Sequence, residues 1–432
     1  MSSSTKHVRH IRLLALGSQG DVMPYVALGL GLQQAGFDVS IGTTADFRPL
    51  VESYGLPCVT TNWGLCTIVR REAQAGGHSV TSADKRLSRQ QQWAQREFLR
   101  LLWQTTLELA EGADMLLYSF AALFAAPHVA EKLGIPAIVA TYQPAMTPTR
   151  AFPLNRAPAL PLGGWYNRFT YACFEQLTWL FLHEALNTWR RETLHLAPLD
   201  RRGLFAPLHR RNQPMLFGFS SAVLPKPADW GDHLHLTGYW FPSQRMSFQP
   251  SAELTAFLQA GAPPISIGFG SMISPDPKAM LDLLLAAVKQ AGVRTVLIAH
   301  GEGISAAHLP EQVFLLDQVP HDWLFPQMAA TVHHGGAGTT GASLRAGIPT
   351  VVVPFLSGMD QAFWGKRVAA LGVGPTSIPF TRLTTASLAL AIQQAVSDET
   401  MRKKAAQIGQ CIRAEDGIGN AVQVIEQFVS NY

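Results

Sequence analysis

Apolar and polar positions alternate in blocks along this chain. His10 to Leu16 is a short apolar run, Gly17-Ser18-Gln19-Gly20-Asp21 a polar turn, and Val22 to Ala35 carries apolar residues at helical spacing. The run predicts a strand and the spacing a helix. Asp21 stands where an N-cap belongs, Pro24 falls in the first turn and Gly36 at the C′ position. A second apolar run, Phe37 to Gly42, follows. The order strand, turn, helix, strand predicts a parallel sheet with right-handed crossovers.

The pattern continues. Asp46 to Pro57 predicts a helix and turn, and Gln90 to Glu111 a helix carrying Trp93, Phe98, Leu101, Leu102 and Leu109. His78 to Arg89 is polar and predicts a loop. Met115 to Tyr118 and Ile135 to Ala140 predict strands, with a helix over Ala121 to Leu133 between them. Gln143 to Leu162 is proline-rich and breaks the alternation. Trp165 to Arg191 then predicts a long helix rich in aromatic residues. Such a stripe is ordinary core or, behind a proline-rich loop at the carboxyl edge of a sheet, one wall of a pocket for a large apolar molecule. Met215 to Phe219 predicts the last strand of this half.

Val223 to Pro250 carries four prolines and no periodicity, which predicts a linker. A second alternating run follows: strands at Ile265 to Phe269, Thr295 to Ala299, Val313 to Leu316, Ala329 to His333 and Val351 to Val353, with a helix over Lys278 to Ala291. Met401 to Phe428 predicts a helical end. The expected architecture is α/β, with two Rossmann-like parallel-sheet halves facing across a cleft. The expected divisions are 1–222, a linker over 223–250, 251–405, and a closing helical segment over 406–432 packed back on the first half.

Composition narrows the class. At 432 residues, 47% hydrophobic and 15% charged, the chain is globular and long enough for two or three domains. A formal charge of +4 is too small to argue for nucleic acid. Basic residues do cluster, at Lys85, Arg86, Arg89, Arg96 and Arg100 and at Arg201, Arg202, Arg210 and Arg211. Such clusters are solvated faces, or contacts to an anionic membrane surface or an acidic partner. Cys58, Cys66, Cys173 and Cys411 have no Cys-x-x-Cys spacing, so zinc and redox motifs are unsupported. No run reaches the ~18 apolar residues of a membrane span, and Met1 to His10 lacks an apolar signal core. The expectation is a cytoplasmic protein, with peripheral contact at the inner face of the membrane as its only membrane role.

The chemistry concentrates at Thr331-Val332-His333-His334-Gly335-Gly336-Ala337-Gly338-Thr339-Thr340, a strand, a glycine-rich turn and a helix start. Unpaired backbone N–H groups at such a helix N-terminus favour an anion, and glycines let a ligand approach closely. Thr339, Thr340 and His334 add side-chain donors, His334 also a possible positive charge. This is a diphosphate site or a glycine-rich turn with a histidine pair packed on it. A nicotinamide site at the first turn is argued against. The turn lacks the full G-x-G-x-x-G, and the second strand ends in Thr43-Thr44 where an acidic residue would hold a ribose.

His333 to Thr340, then Pro354-Phe355 and Asp360-Gln361-Ala362-Phe363-Trp364-Gly365, resemble the donor-site signature of the GT-B-fold family 1 UDP-glycosyltransferases. Gly17 to Tyr25 resembles the N-terminal motif of their bacterial and fungal branch. Within that branch the sterol glucosyltransferase group is most similar. The similarity rests on Leu236-Thr237-Gly238-Tyr239-Trp240-Phe241, Ile267 to Met272, Val319-Pro320-His321-Asp322-Trp323-Leu324 and Glu415-Asp416-Gly417. Tyr166-Asn167-Arg168 through Asn187-Thr188-Trp189-Arg190 also resembles that group.

The resemblance implies inverting, metal-independent transfer of a hexose, glucose first, from a UDP-sugar to the hydroxyl of a sterol or similar hydrophobic alcohol. No cofactor is implied. It implies Asp21 as the base and His334 at the leaving diphosphate. Ser271, Gln318, Val319, Gly336, Gly338, Thr339, Thr340, Asp360 and Gln361 are implied around the donor, with Asp360 and Gln361 on the sugar hydroxyls. Gln19, Gly20, Trp165, Phe169 and Phe174 are implied around the acceptor. His333 is expected as a structural neighbour, and His300, after a strand, as a lesser candidate. Several positions depart from the family pattern: Gln19 replaces an arginine, and Gln318 stands where the plant branch stacks a tryptophan. Asp21 replaces the plant branch's histidine base, with Ser119 where that base's acidic partner would fall, and Ser357-Gly358-Met359 lengthens the loop before Asp360. An aspartate base makes no imidazolium, so that acidic partner is not needed. A TDP- or UDP-sugar transferase acting on a macrolide or other aglycone keeps the same chemistry, and a non-catalytic sugar-nucleotide binder keeps the fold.

Overall fold

The structure is a computed structural model. It describes residues 8–61, 89–144, 146–155, 157, 158, 160–200, 204, 205, 213–242, 248–270, 272, 274, 276–299, 309–355 and 360–432. The chain divides into two compact units, and it crosses between them more than once.

The first unit holds seven strands: β1 His10–Leu14, β2 Asp38–Thr43, β3 Cys58–Thr60, β4 Met115–Tyr118, β5 Ala137–Thr141, β6 Met215–Phe217 and β7 Leu234–Leu236. They are parallel and ordered β3-β2-β1-β4-β5-β6-β7. Its helices are α1 Gln19–Gln34, α2 Arg48–Ser53, α3 Arg89–Ala110, α4 Ala126–Leu133 and α5 Gly163–Glu192. Ile11, Leu13, Leu14 and all of β4 are buried, as strands covered on both faces must be. Arg190 pins α5 to α4. Its guanidinium is 2% exposed and donates to both Glu131 carboxylate oxygens at 2.8 and 3.0 Å and to His128 Nδ1 at 3.0 Å. Burial and then the Arg190 charge push His128 down to about 4, so it accepts this bond as a neutral ring.

The second unit holds β8 Ile265–Gly268, β9 Thr295–Ile298, β10 Val313–Leu316, β11 Ala330–His333 and β12 Thr350–Val352. They are parallel, in the order β10-β9-β8-β11-β12. Its helices are α6 Ala252–Gln259, α7 Pro277–Ala291, α8 His321–Leu324, α9 Ala337–Ala346, α10 Asp360–Leu371, α11 Thr385–Ser397 and α12 Glu399–Ala414. Leu284 and Val288 of α7 and Leu388 and Ile392 of α11 pack with Ile265, Ile267, Val332 and Val351 of the sheet. A smaller cluster gathers Val296, Leu324, Phe325 and Met328 with Leu258, Ala342 and Ala346. In each sheet the strand order reverses at one place, between β1 and β4 and between β8 and β11. Open α/β sheets bind ligands outside the carboxyl ends of the strands at that reversal.

Three expectations change. Asp21 is not the N-cap of the first helix: Ser18 is, and α1 begins at Gln19. Gly17, at φ +143°, precedes that cap, and Asp21 serves as its N3 partner in a capping box. The stretch 223–250 is more than a linker. Ser220–Pro225 groups with the second unit, Lys226–Ser243 with the first, and Leu234–Leu236 is its edge strand. Met401 to Phe428 is two helices broken at Glu415. The first stays with the second unit; the other, α13 Gly417–Ser430, belongs to the first unit and packs on α1. Asp416 caps α13 by accepting from Gly419 N–H at 2.9 Å. Asn420 Nδ2 donates to Thr237 O at 2.9 Å, and Gly417 lies so close that a Cβ there would stand 2.3 Å from Tyr239 O. This contact accounts for Leu236-Thr237-Gly238-Tyr239-Trp240 and Glu415-Asp416-Gly417 as one structural motif.

Candidate functional site

In the second unit the glycine-rich turn leaves β11 at the strand-order reversal. His333 sits at the strand end, 1% exposed. Its Nδ1 accepts from Gly335 N–H at 3.0 Å, and its Nε2 lies 2.7 Å from Thr350 Oγ1. Burial, with His334 and His321 beside it, holds its pKa well below the usual range. A neutral ring with Nε2–H donating to Thr350 fits these bonds. The hydroxyls of Thr350, Thr331 and Ser343 extend the chain at 2.8 and 2.9 Å. His333 therefore orders the turn from behind and is a structural neighbour.

His334 differs. Its Nδ1 is buried with no partner among the described residues. A Cβ on Gly336 would stand 2.5 Å from its Nε2, and one on Gly270, at φ +60°, 3.2 Å from its Cε1. The two glycines form a slot for this ring. Burial, then the nearby His321, push it down to about 4. In the unliganded protein it is thus a neutral imidazole at neutral pH, not the positive charge allowed for above.

Helix α9 starts beyond it. Its first intrahelical bond runs from Thr340 N–H to Gly336 O at 2.9 Å. The amides of Ala337, Gly338 and Thr339 precede that bond and have no helical acceptor. Gly336, Gly338 and Thr339 are part-exposed. Thr340 is fully buried, its hydroxyl turned inward without a partner among the described residues. An anion at this turn meets backbone donors and Thr339 rather than the Thr340 hydroxyl.

The remaining donor candidates divide. Gln318 is exposed on the loop after β10, and Val319 packs half-buried beside the cluster of Leu324 and Phe325. Asp360 is part-exposed in the first turn of α10. Gln361 is 4% exposed: its Oε1 accepts from Phe355 N–H at 2.9 Å and its Nε2 lies 3.4 Å from Met272 Sδ. A buried amide must be satisfied, and here it braces the 354–355 loop. Ser271, His300 and Ser357-Gly358-Met359 lie outside the described residues.

In the first unit the corresponding position is the turn after β1. Asp21 Oδ2 accepts from Ser18 N–H at 2.6 Å and Ser18 Oγ–H at 2.8 Å, and Asp21 Oδ1 accepts from the phenol of Tyr142. The acidic partner of the plant branch's histidine has no counterpart in these bonds; a neutral phenol holds the carboxylate instead. The phenol comes from the residue after β5. Ser119, after β4, has a buried hydroxyl with no partner among the described residues. Gln19 and Gly20 are exposed beside Asp21. Gly17 is needed here: a Cβ would stand 2.3 Å from Asp21 Oδ2. Gly17→Ala should cost about 1–3 kcal/mol through its left-handed backbone and should lower turnover beyond that by displacing the carboxylate. Thermal unfolding and initial rates check both parts.

The aromatic helix α5 buries Tyr171, Trp179, Leu186 and Trp189 and turns Trp165 and Phe169 outward. Trp165 is 75% exposed and stacks on Phe169 with ring centres 5.3 Å apart. Phe174 packs edge-on to Phe205 at 6.4 Å. Among these described residues Trp165 and Phe169 present an open apolar face, while Phe174 is held against its neighbour. No group of three His, Cys, Asp or Glu side chains among the described residues is placed to hold a metal ion. No described helix is long and apolar enough to cross a membrane. Of the basic clusters, only Arg100 has a described side chain.

Two family matches fall on the two halves. Residues 11–153 match the glycosyltransferase family 28 N-terminal domain, and residues 282–426 the erythromycin biosynthesis protein CIII-like C-terminal domain. A sterol 3-beta-glucosyltransferase of Cryptococcus neoformans var. neoformans serotype D is 36% identical over 440 residues, which is 96% of this chain and 27% of that protein. One from Aspergillus terreus is 36% identical over 430 residues, 96% of this chain and 30% of that protein. The chain thus spans between a quarter and a third of the length of these curated relatives. Among solved structures, the glycotransferase of kitacinnamycin superimposes with a TM-score of 0.67 at 18% identity, covering 98% of this chain and 99% of that one. The calicheamicin glycosyltransferase CalG4 does so at 0.66 and 18%, with the same coverage. The Streptomyces glycosyltransferase SsfS6, complexed with thymidine diphosphate, gives 0.58 at 19%, covering 97% and 99%. With two parallel sheets, a glycine-rich turn at one strand-order reversal and a buttressed aspartate at the other, the chain has the fold of the GT-B glycosyltransferases, carries those two family matches, and along 96% of its length is similar to fungal sterol 3-beta-glucosyltransferases.

Proposed function

We propose that this protein transfers glucose from UDP-glucose to the hydroxyl of a sterol or similarly rigid hydrophobic alcohol, with inversion and without a metal. The observation that supports it is the 36% identity over 96% of the chain to proteins named sterol 3-beta-glucosyltransferase. In this reaction the acceptor oxygen attacks the anomeric carbon as the bond from that carbon to the diphosphate oxygen breaks. Asp21 takes the acceptor's proton. The departing nucleoside diphosphate gains negative charge, which the first amides of α9 and the His334 ring stabilise. A large apolar acceptor gains about 25 cal/mol per Å² of surface buried, which favours a sterol over a small polar alcohol. The basic clusters would add peripheral contact with an anionic membrane carrying such an acceptor, each near-surface charge contributing about 1 kcal/mol.

A second reading, transfer from a TDP-sugar to a macrolide or other aglycone, is favoured by the match of residues 282–426 to the erythromycin-type domain. One assay separates the two: sterols, flavonoids and macrolides are offered with UDP-glucose and TDP-glucose, and products are read by mass spectrometry. Sterol glucoside from UDP-glucose, unaffected by EDTA, is expected. Macrolide or flavonoid products with no sterol product would overturn the sterol assignment, and loss in EDTA restored by Mg²⁺ would overturn the metal-free route. Sedimentation with anionic liposomes at low salt tests the membrane contact.

A further inference from the structure

We propose that Tyr142 is a positioning residue for the Asp21 carboxylate and, with Ser18, selects the oxygen that receives the acceptor's proton. The proposal rests on the role of Asp21 as base. A carboxylate offers about four lone-pair sites, two on each oxygen. Both Oδ2 sites are occupied, by the N–H and O–H of Ser18. One Oδ1 site is occupied by the Tyr142 phenol. The lone pair left over is on Oδ1, so the proton arrives on the oxygen that Tyr142 already holds. Ser18 alone would leave the carboxylate free to turn about its own bond; a second anchor on the other oxygen fixes its plane.

The fold makes that anchor rigid. Tyr142 follows the last residue of β5 and is 8% exposed. The end of β5 is itself tied down, with Gly218 N–H donating to Thr141 O at 2.7 Å. A second phenol runs the other way, since Tyr25 of α1 donates to Ala140 O near the end of β5. Helix α1 and the end of β5 are therefore joined by two tyrosines, one donating from each side. Ser119, on the intervening strand end, makes no such bond among the described residues. The other titratable groups facing this site are Tyr25, which interacts with Asp21 and whose burial raises its pKa well above the usual phenol range, and Tyr118 of β4, which interacts with Tyr25.

Tyr142→Phe keeps the ring and its packing. It should lower kcat about tenfold and leave the KM for the sugar nucleotide unchanged. Replacing Tyr142 with 3,5-difluorotyrosine, a stronger donor, should restore kcat. A Tyr142→Phe enzyme that is merely less heat-stable, with the kcat of the parent, would overturn the proposal. Carbon-13 spectra of the aspartate carboxyls give a readout independent of turnover. The resonance missing in Asp21→Asn should move in Tyr142→Phe, and an unmoved resonance would also overturn it. If the parent protein glycosylates no alcohol at all, it is the assignment of Asp21 as base that fails, and the carboxyl resonance still decides whether Tyr142 holds it.

Discussion

Asparagine in place of Asp21 is expected to lower kcat about a thousandfold, within the range that general bases contribute, while the protein stays folded. The side chain keeps its size and one acceptor oxygen; with the amide turned so that this oxygen faces Ser18, the helix start retains its bond from the Ser18 N–H and the amide NH2 faces the Tyr142 oxygen. What is lost is an oxygen able to take up a proton as the acceptor hydroxyl attacks. The KM for the sugar nucleotide should hardly move, because the donor features lie on the other sheet's turn. Circular dichroism and thermal unfolding establish the fold, and single-turnover rates with saturating donor establish the loss. A folded Asp21→Asn protein with more than a tenth of the parent's rate would remove Asp21 from the chemistry and leave it as a helix-start residue only.

His334→Ala is the second large effect, expected to lower kcat about 100-fold or more. The ring fills a slot between Gly270 and Gly336 and has a buried Nδ1 with no partner among the described residues. An unpaired buried polar atom is costly until a ligand supplies the other half of the bond. Removing the ring therefore removes that cost as well as the leaving-group contact, and the alanine protein should be no less stable than the parent by more than the lost packing. His333→Ala should behave oppositely. That ring is bonded to Gly335 and Thr350, so its loss should lower the melting temperature first and the rate through it. A His334→Ala protein with near-normal turnover would take His334 out of the site.

Much of the architecture was legible because local rules and global order agree. The β1-turn-α1-β2 unit shows itself through an apolar run, a polar turn, Pro24 and Gly36, all within thirty residues or so of one another. The donor turn was legible for the same reason: its chemistry is carried by consecutive residues. Strand β7 was not legible, since three residues set among prolines have no measurable alternation. The start of α1 was misplaced, since Asp21 is a good cap residue by type but Ser18, three residues earlier, takes that position. Tyr142 could not be found at all. It acts on Asp21 across 121 positions of sequence, and no spacing rule links a residue after one strand to a residue after another. Gln361 adds a role that the resemblance does not suggest: its Oε1 accepts from Phe355 N–H six residues back in the chain.

Helix α13 covers α1 so tightly that a Cβ on Gly31 would stand 2.2 Å from Ile418. Yet roughly 170 residues of the second unit, Gln244 to Glu415, are made between the bulk of the first unit and that helix. At ~5–20 residues per second of synthesis, the first unit waits about 10–35 s with the Gly31 face of α1 uncovered. During that interval the ribosome carries an incomplete sheet domain whose apolar helix face is open to other nascent chains. A nascent chain arrested before Gly417 should accordingly be a chaperone client in its first unit, and one released after Ser430 should not.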